Sequence, residues 1–180
     1  MATSTPVIQK KSCQILIVVD TAAIKSKNYD IDGEKPIKIK KAEWFLIYQK
    51  TNIHTVTDSL HSVSIDSKKN NNIMIFGISI DGGSSDAIIL NQIKNYNSKK
   101  NILSFEPICV SENVVSNTVN DEGELFLTNV EQNFIWFESV IFHPGKIKVK
   151  IYFSLYYLSS DGNQQDLYGH FWFPLEIKLY

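Results

Sequence analysis

KIKVKIYFSLYYL, residues 146–158, alternates apolar and polar side chains from one end to the other. Ile147, Val149, Ile151, Phe153 and Leu155 fall on one side of an extended chain, and Lys146, Lys148, Lys150, Tyr152, Ser154 and Tyr156 on the other. A period of two is the mark of a strand with one buried face, because successive side chains of a strand point to opposite sides. The tail PLEIKLY repeats the pattern, with Leu175, Ile177 and Leu179 inward and Glu176 and Lys178 outward, and LHSVSID sets His61, Val63 and Ile65 on one side. QILIVV, EWFLIY, NIMIFGISI, NILSFEPICV, GELFLT and FIWFESVIF are further β-branched or aromatic runs of strand length. The turn signals DIDGEKP, DSKKNNN, DGGSSD, NDEGE, HPGK and SSDGN separate them. Only DAIILNQIKNYN carries a helical spacing, with Ile89 and Ile93 four apart behind Asp86 as an N-cap. The expected fold is therefore all-β: an antiparallel β-sandwich or jelly-roll-like domain of about ten strands with at most one short helix.

The chain has 180 residues, of which 43% are apolar, enough for one well-cored domain. No repeat of fixed period, linker or low-complexity tract divides it, so residues 14–180 read as one domain behind a loose segment, 1–13. Eighteen cations, all of them lysine, face nineteen acids for a net charge of −1. Without a basic field or arginine, nucleic acid is a poor partner. The longest unbroken apolar run is Ile15–Val19, too short for a membrane helix, so membrane insertion is not expected. MATSTPVIQKK has no charged leader followed by an apolar block, which points to the cytoplasm, with release lacking a signal peptide as the alternative. Cys13 and Cys109 form no disulfide framework and, from their apolar surroundings, are expected in the core.

Few residues are grouped as chemistry requires. His54, His61, His143 and His170 show no metal-site spacing, and there is no nucleophile elbow, phosphate loop or dinucleotide fingerprint. GGSSD offers a serine near an acid without an assignable base, so it reads as a turn and no enzyme is expected. NYDIDGEKP opens like a calcium loop through Asn28, Asp30, Asp32 and Gly33, but Ile39 stands where an EF-hand needs its bidentate glutamate. A solvated acidic turn is the favoured reading there, with a non-helical calcium site as the alternative. The stripe of Lys146, Lys148 and Lys150 reads as a solvated or edge-guarding face, since aromatic partners are not apparent beside it. The richest segment is SSDGNQQDLYGHFWF, where Asp161, Asn163, Gln164, Gln165 and Asp166 precede Tyr168, His170, Phe171 and Trp172. Carboxylates and amides beside aromatic rings suit a sugar, whose hydroxyls take the polar groups and whose apolar face takes the ring. The plainer reading is a hydrophilic hairpin, with either His170 and Trp172 or Phe171 and Phe173 in the core.

That segment also carries a resemblance. Phe153, Leu155, Tyr156 and Leu158, then Ser160, Asp161 and Gly162, then Leu167, Tyr168, Gly169 and Pro174, are similar to the C-terminal signature of the PixA/AidA family of bacterial inclusion-body proteins. ILIVVDT, ending in Asp20 and Thr21, resembles the family's first strand, and NNNIMIFGI, with Gly77, a central one. One departure is that Phe173 precedes Pro174 where relatives often carry Trp-Asp-Pro. The resemblance implies a β-sandwich, accumulation in the bacterial cytoplasm, no catalytic activity and, for some members, lectin behaviour with calcium. Only two methionines are present, so methionine storage is not supported.

The leading expectation is a non-enzymatic carbohydrate-binding sandwich, with calcium as candidate cofactor and a homo-oligomer as the expected state. Asp161, Asn163 and Asp166, joined by Asp20, would bind metal or hydroxyls, and Tyr168, His170 or Trp172 would pack on the sugar. The alternative is a self-assembling inclusion-body protein without a small ligand, consistent with near-zero net charge and many strand edges.

Overall fold

The computed structural model describes residues 12–31, 33, 35–48, 61–68, 72–82, 85–96, 103–119 and 123–180. His54, Asp32, the Gly83–Ser84 pair and the first eleven residues lie outside that set. The elements are β1 (Ser12–Val19), α1 (Thr21–Lys25), β2 (Ile37–Lys38), β3 (Trp44–Tyr48), β4 (Ser62–Ile65), β5 (Asn72–Ser79), β6 (Asp86–Asn95), β7 (Glu106–Val119), β8 (Leu125–Val140), β9 (Gly145–Leu158) and β10 (Gln165–Leu179). Among the described residues one 3₁₀ turn, Lys41–Glu43, precedes β3.

The ten strands make two sheets, as the periodicity predicts. Sheet 1 runs β3-β1-β5-β8-β7, and sheet 2 runs β2-β10-β9-β6 with β4 also against β10. Three pairings, β1 with β5 and β10 with β2 and β4, are parallel, so both sheets are mixed rather than purely antiparallel. Parallel neighbours need a crossover, and the long connection from β1 to β5 supplies one by threading α1, β2, β3 and β4.

The core lies between the sheets. Ile15, Ile17 and Val19 of β1 and Ile73 and Ile75 of β5 meet Val149, Ile151, Phe153 and Leu155 of β9 and Phe171, Phe173, Leu175 and Ile177 of β10, all fully buried. The inward set of residues 146–158 is the one that alternation assigns. Gly77 on β5 faces β6 so closely that a Cβ there would lie 2.8 Å from Leu90 Cγ and Cδ2.

Four readings of the sequence are corrected. DAIILNQIKNYN is not a helix but β6, paired along β9; Asp86 is its first residue, buried and bonded to Lys25, and caps nothing. The short helix is instead α1, where the Asp20 carboxylate accepts a hydrogen bond from the Ala23 N–H at 2.8 Å. GELFLT and FIWFESVIF are one strand of 16 residues, β8, because an outlying ribbon exposed on both faces needs no apolar alternation across its polar middle. Cys13 is buried as expected, but Cys109 is exposed on that ribbon. Strand β1 also starts at Ser12, two residues before the expected domain boundary.

Candidate functional site

The β9–β10 turn is built by its own side chains. Gly162 takes a φ of 73°, which its missing Cβ permits, and its N–H donates to the Ser159 carbonyl at 2.9 Å. Asp161 accepts hydrogen bonds from the Ser159 hydroxyl and from the Asn163 backbone N–H at 3.1 Å and amide at 3.2 Å. Those donors, the Ser159 hydroxyl first, hold its carboxyl below the usual carboxylate range. Gln164 donates to Asp166 at 3.3 Å. The polar residues singled out in the sequence thus bond to one another around the turn.

The other candidates are spread. Asp20 is engaged as the cap of α1. Asn28 and Asp30 are exposed in the loop after α1, where the nearby Tyr29 hydroxyl donates to Glu43 at 3.0 and 2.9 Å. Glu43 is fully buried, and Lys27 and the Lys40 N–H (2.7 Å) complete its shell. Burial, followed by the hydrogen bond to Glu43, pushes the Tyr29 hydroxyl up to about 12. Among the described residues, no group of three or more His, Cys, Asp and Glu side chains is placed to hold a metal ion.

Strand β10 carries a bulge between Leu167 and Gly169, which inserts Tyr168 opposite no partner. The extra residue resets the alternation, so Tyr168 turns toward the core and stacks on Phe171 at 6.3 Å instead of joining His170 and Trp172. Gly169 sits where a Cβ would approach the Phe171 ring at 3.3 Å. Beyond the bulge Phe171 and Phe173 are the core pair, and His170 and Trp172 look outward.

Register assembles the outward surface of sheet 2. His170 stands opposite Ser154, Trp172 opposite Tyr152 and Pro174 opposite Lys150. His170 Nδ1 and Ser154 Oγ are 2.9 Å apart, and the Asn91 side chain reaches the same hydroxyl at 2.7 Å from a second bulge in β6. Ser154 is consequently buried although it lies on the outer face. Lys150 Nζ sits 4.7 Å from the Trp172 ring and 4.8 Å from Tyr96, Lys38 Nζ 5.4 Å from Trp172, and Lys94 Nζ 5.7 Å from Tyr152. Aromatic partners absent beside the lysine stripe in sequence are supplied by Tyr96, just past the end of β6, and by Trp172 of β10. Only the cross-strand register brings them in; the alternation of residues 146–158 was the one available signal.

The outer surface of sheet 1 is mainly apolar, with Gln14 and Glu138 beside Met74 as polar positions. Leu16 and Val18 of β1, Phe45 and Ile47 of β3, Met74, Phe76 and Ile78 of β5 and Trp136 of β8 alternate away from the core, with Ile47 59% exposed. Beyond Phe137, where pairing with β5 ends, β7 is the one described strand bonded to β8. Leu125–Trp136 with its partner strand is a two-stranded ribbon about 40 Å long at the usual rise per residue. It exposes Val115, Leu125, Phe126, Leu127, Val130, Phe134 and Ile135. Sequence reading missed this ribbon as a surface.

These features define an all-β sandwich protein whose marked surfaces are sheet faces and a projecting ribbon. The chain belongs to the PixA family: the family model, described as inclusion body protein, matches residues 11–179, and the family is not known as one of enzymes. A crystal structure of an inclusion body protein (PixA) from Burkholderia cenocepacia J2315 superimposes with a TM-score of 0.73 at 20% identity, covering 98% of this chain and 100% of that one. No curated protein matches the sequence. No described helix is long and apolar enough to cross a membrane.

Proposed function

We propose that this chain is a self-assembling, inclusion-forming protein that acts without a small ligand. The observation that carries the reading is the apolar outer face of sheet 1 continued into an unsupported ribbon. A two-stranded ribbon is marginal in water on its own, and contiguous exposed apolar surface marks a contact site. The description of the matching family, inclusion body protein, agrees with it. Nothing in the net charge of −1 opposes association of many copies.

Sedimentation across a concentration series tests the reading. The wild-type chain is expected to form large particles as concentration rises, and the Phe126→Ser/Phe134→Ser variant to remain smaller with an unchanged melting midpoint, since both rings are exposed. A wild-type chain that stays a dilute monomer at every concentration would sink it.

A lectin remains the second reading, favoured by the polar trio Asn91, Ser154 and His170 beside Trp172 and Tyr152 on one open face. It ranks second because Lys38 and Lys150 already stand over the Trp172 ring that a sugar would need. Calcium assistance ranks lower still, because hydrogen bonds within the turn already occupy both Asp161 oxygens. A calcium-dependent rise in melting midpoint that grows with one monosaccharide, and is lost in Trp172→Ala, would reverse the order.

A further inference from the structure

We infer that growth of the assembly is head to tail, the acidic β7–β8 ribbon of one copy seating on the lysine-rich outer face of sheet 2 of the next. The inference rests on the assembly reading and adds which two surfaces meet. The near-zero net charge conceals two separated fields. From Lys100 to Lys146 the sequence contains no lysine, yet the ribbon and its base carry Glu106, Glu112, Glu124, Glu131 and Glu138. Glu112 and Glu131 are exposed on its two strands, one on each face of the ribbon: Glu112 lies on the face of Val130 and Phe134, and Glu131 on that of Leu127 and Ile135.

The outer face of sheet 2 has the converse character. Lys38, Lys94, Lys148 and Lys150 lie among Trp172, Tyr152 and Tyr96. Among the described strand residues of that face Glu176 is the one carboxylate, and Lys146 and Lys178 already share it at 3.0 and 3.5 Å. A surface of cations over aromatic rings suits a partner that is both apolar and acidic, which is what the ribbon offers.

The ribbon extends sheet 1, whereas the lysine face is the outside of sheet 2, the opposite layer. The two therefore meet between copies. Because the contact joins two different surfaces it is heterologous, and each added copy leaves a ribbon and a face for further copies unless the rotation closes a ring. The charged part of the contact weakens as salt shortens the Debye length.

Two charge-reversed variants test this, Glu112→Lys/Glu131→Lys on the ribbon and Lys94→Glu/Lys148→Glu on the face. All four side chains are exposed, and unchanged melting midpoints would certify the fold. Each variant alone is expected to lose assembly, with at least a tenfold rise in soluble protein, because like charges now oppose. An equimolar mixture is expected to recover it, since each ribbon then finds a face of opposite sign on the other variant. Assembly of either variant alone at the wild-type level would overturn the inference, as would a mixture that stays soluble. Either result leaves the assembly reading intact provided the wild-type chain still forms particles. Wild-type chain that is monomeric at about 0.05 M salt, where the Debye length exceeds 10 Å, would overturn both.

Discussion

Asp86 Oδ1 accepts a hydrogen bond from Lys25 Nζ at 2.6 Å, joining α1, which follows the first strand of sheet 1, to the first residue of β6 in sheet 2. The aspartate side chain is 7% exposed and the lysine 35%, so the pair is shielded on one side only. Replacing Lys25 by Met leaves a nearly buried carboxylate without its cation. The expected loss is about 2 kcal/mol, between the values for surface and fully buried pairs. Urea unfolding checks it: the midpoint should fall with the slope unchanged, and an unaltered midpoint would show that water replaces the ammonium without cost.

Gly77 and Leu90 meet across the sandwich with no room for a Cβ at its present spacing. Gly77→Val is expected to lose about 1–3 kcal/mol, as overpacked cores do. Part of that loss should return in Gly77→Val/Leu90→Ala, because the contact is with the end of a side chain. Thermal melting of the four chains gives the coupling, and strict additivity would count against the contact.

The His61 ring lies against buried Trp44, tilted by 52° with centroids 4.5 Å apart. Burial first, and the positive charge of Lys41 second, lower its pKa below the ordinary 6.5. The unfolded chain then takes up the proton earlier than the folded one as pH falls through 6.5, so stability declines on the acid side of that value. His61→Gln should flatten the fall in melting midpoint below pH 6.5, and an equally steep fall would place its cause elsewhere.

The two thiols should separate by reactivity. Cys109 is exposed on the ribbon, while Cys13 is 5% exposed and burial pushes its thiol up to about 11. A thiol-specific reagent at neutral pH is expected to label Cys109 within the dead time in dispersed protein and Cys13 only after denaturant is added. Assembly through the ribbon should slow Cys109 labelling as concentration rises.

Alternation along a single strand carried most of the architecture, because burial on one side of a pleated strand leaves a period of two in any order of strands. The inward residues of β9 and β10, the turn at Asp161–Gly162 and the all-β class with about ten strands follow from it, and the C-terminal block pointed to the family that the match over residues 11–179 shows. The helical spacing of Ile89 and Ile93 misled: the bulge at Asn91 sets the two on opposite faces of β6, Ile89 exposed opposite Ser154 and Ile93 buried opposite Ile151. What only tertiary structure decided lies between strands. Cross-strand register set Trp172 and Tyr96 beside Lys150, a one-residue bulge turned Tyr168 away from His170, and the end of β5–β8 pairing at Ile75 and Phe137 left β7 and β8 to continue as a ribbon. Periodicity assigns a side chain to a face of its own strand, but which strand lies alongside, and at what offset, is fixed by the packing of the whole chain.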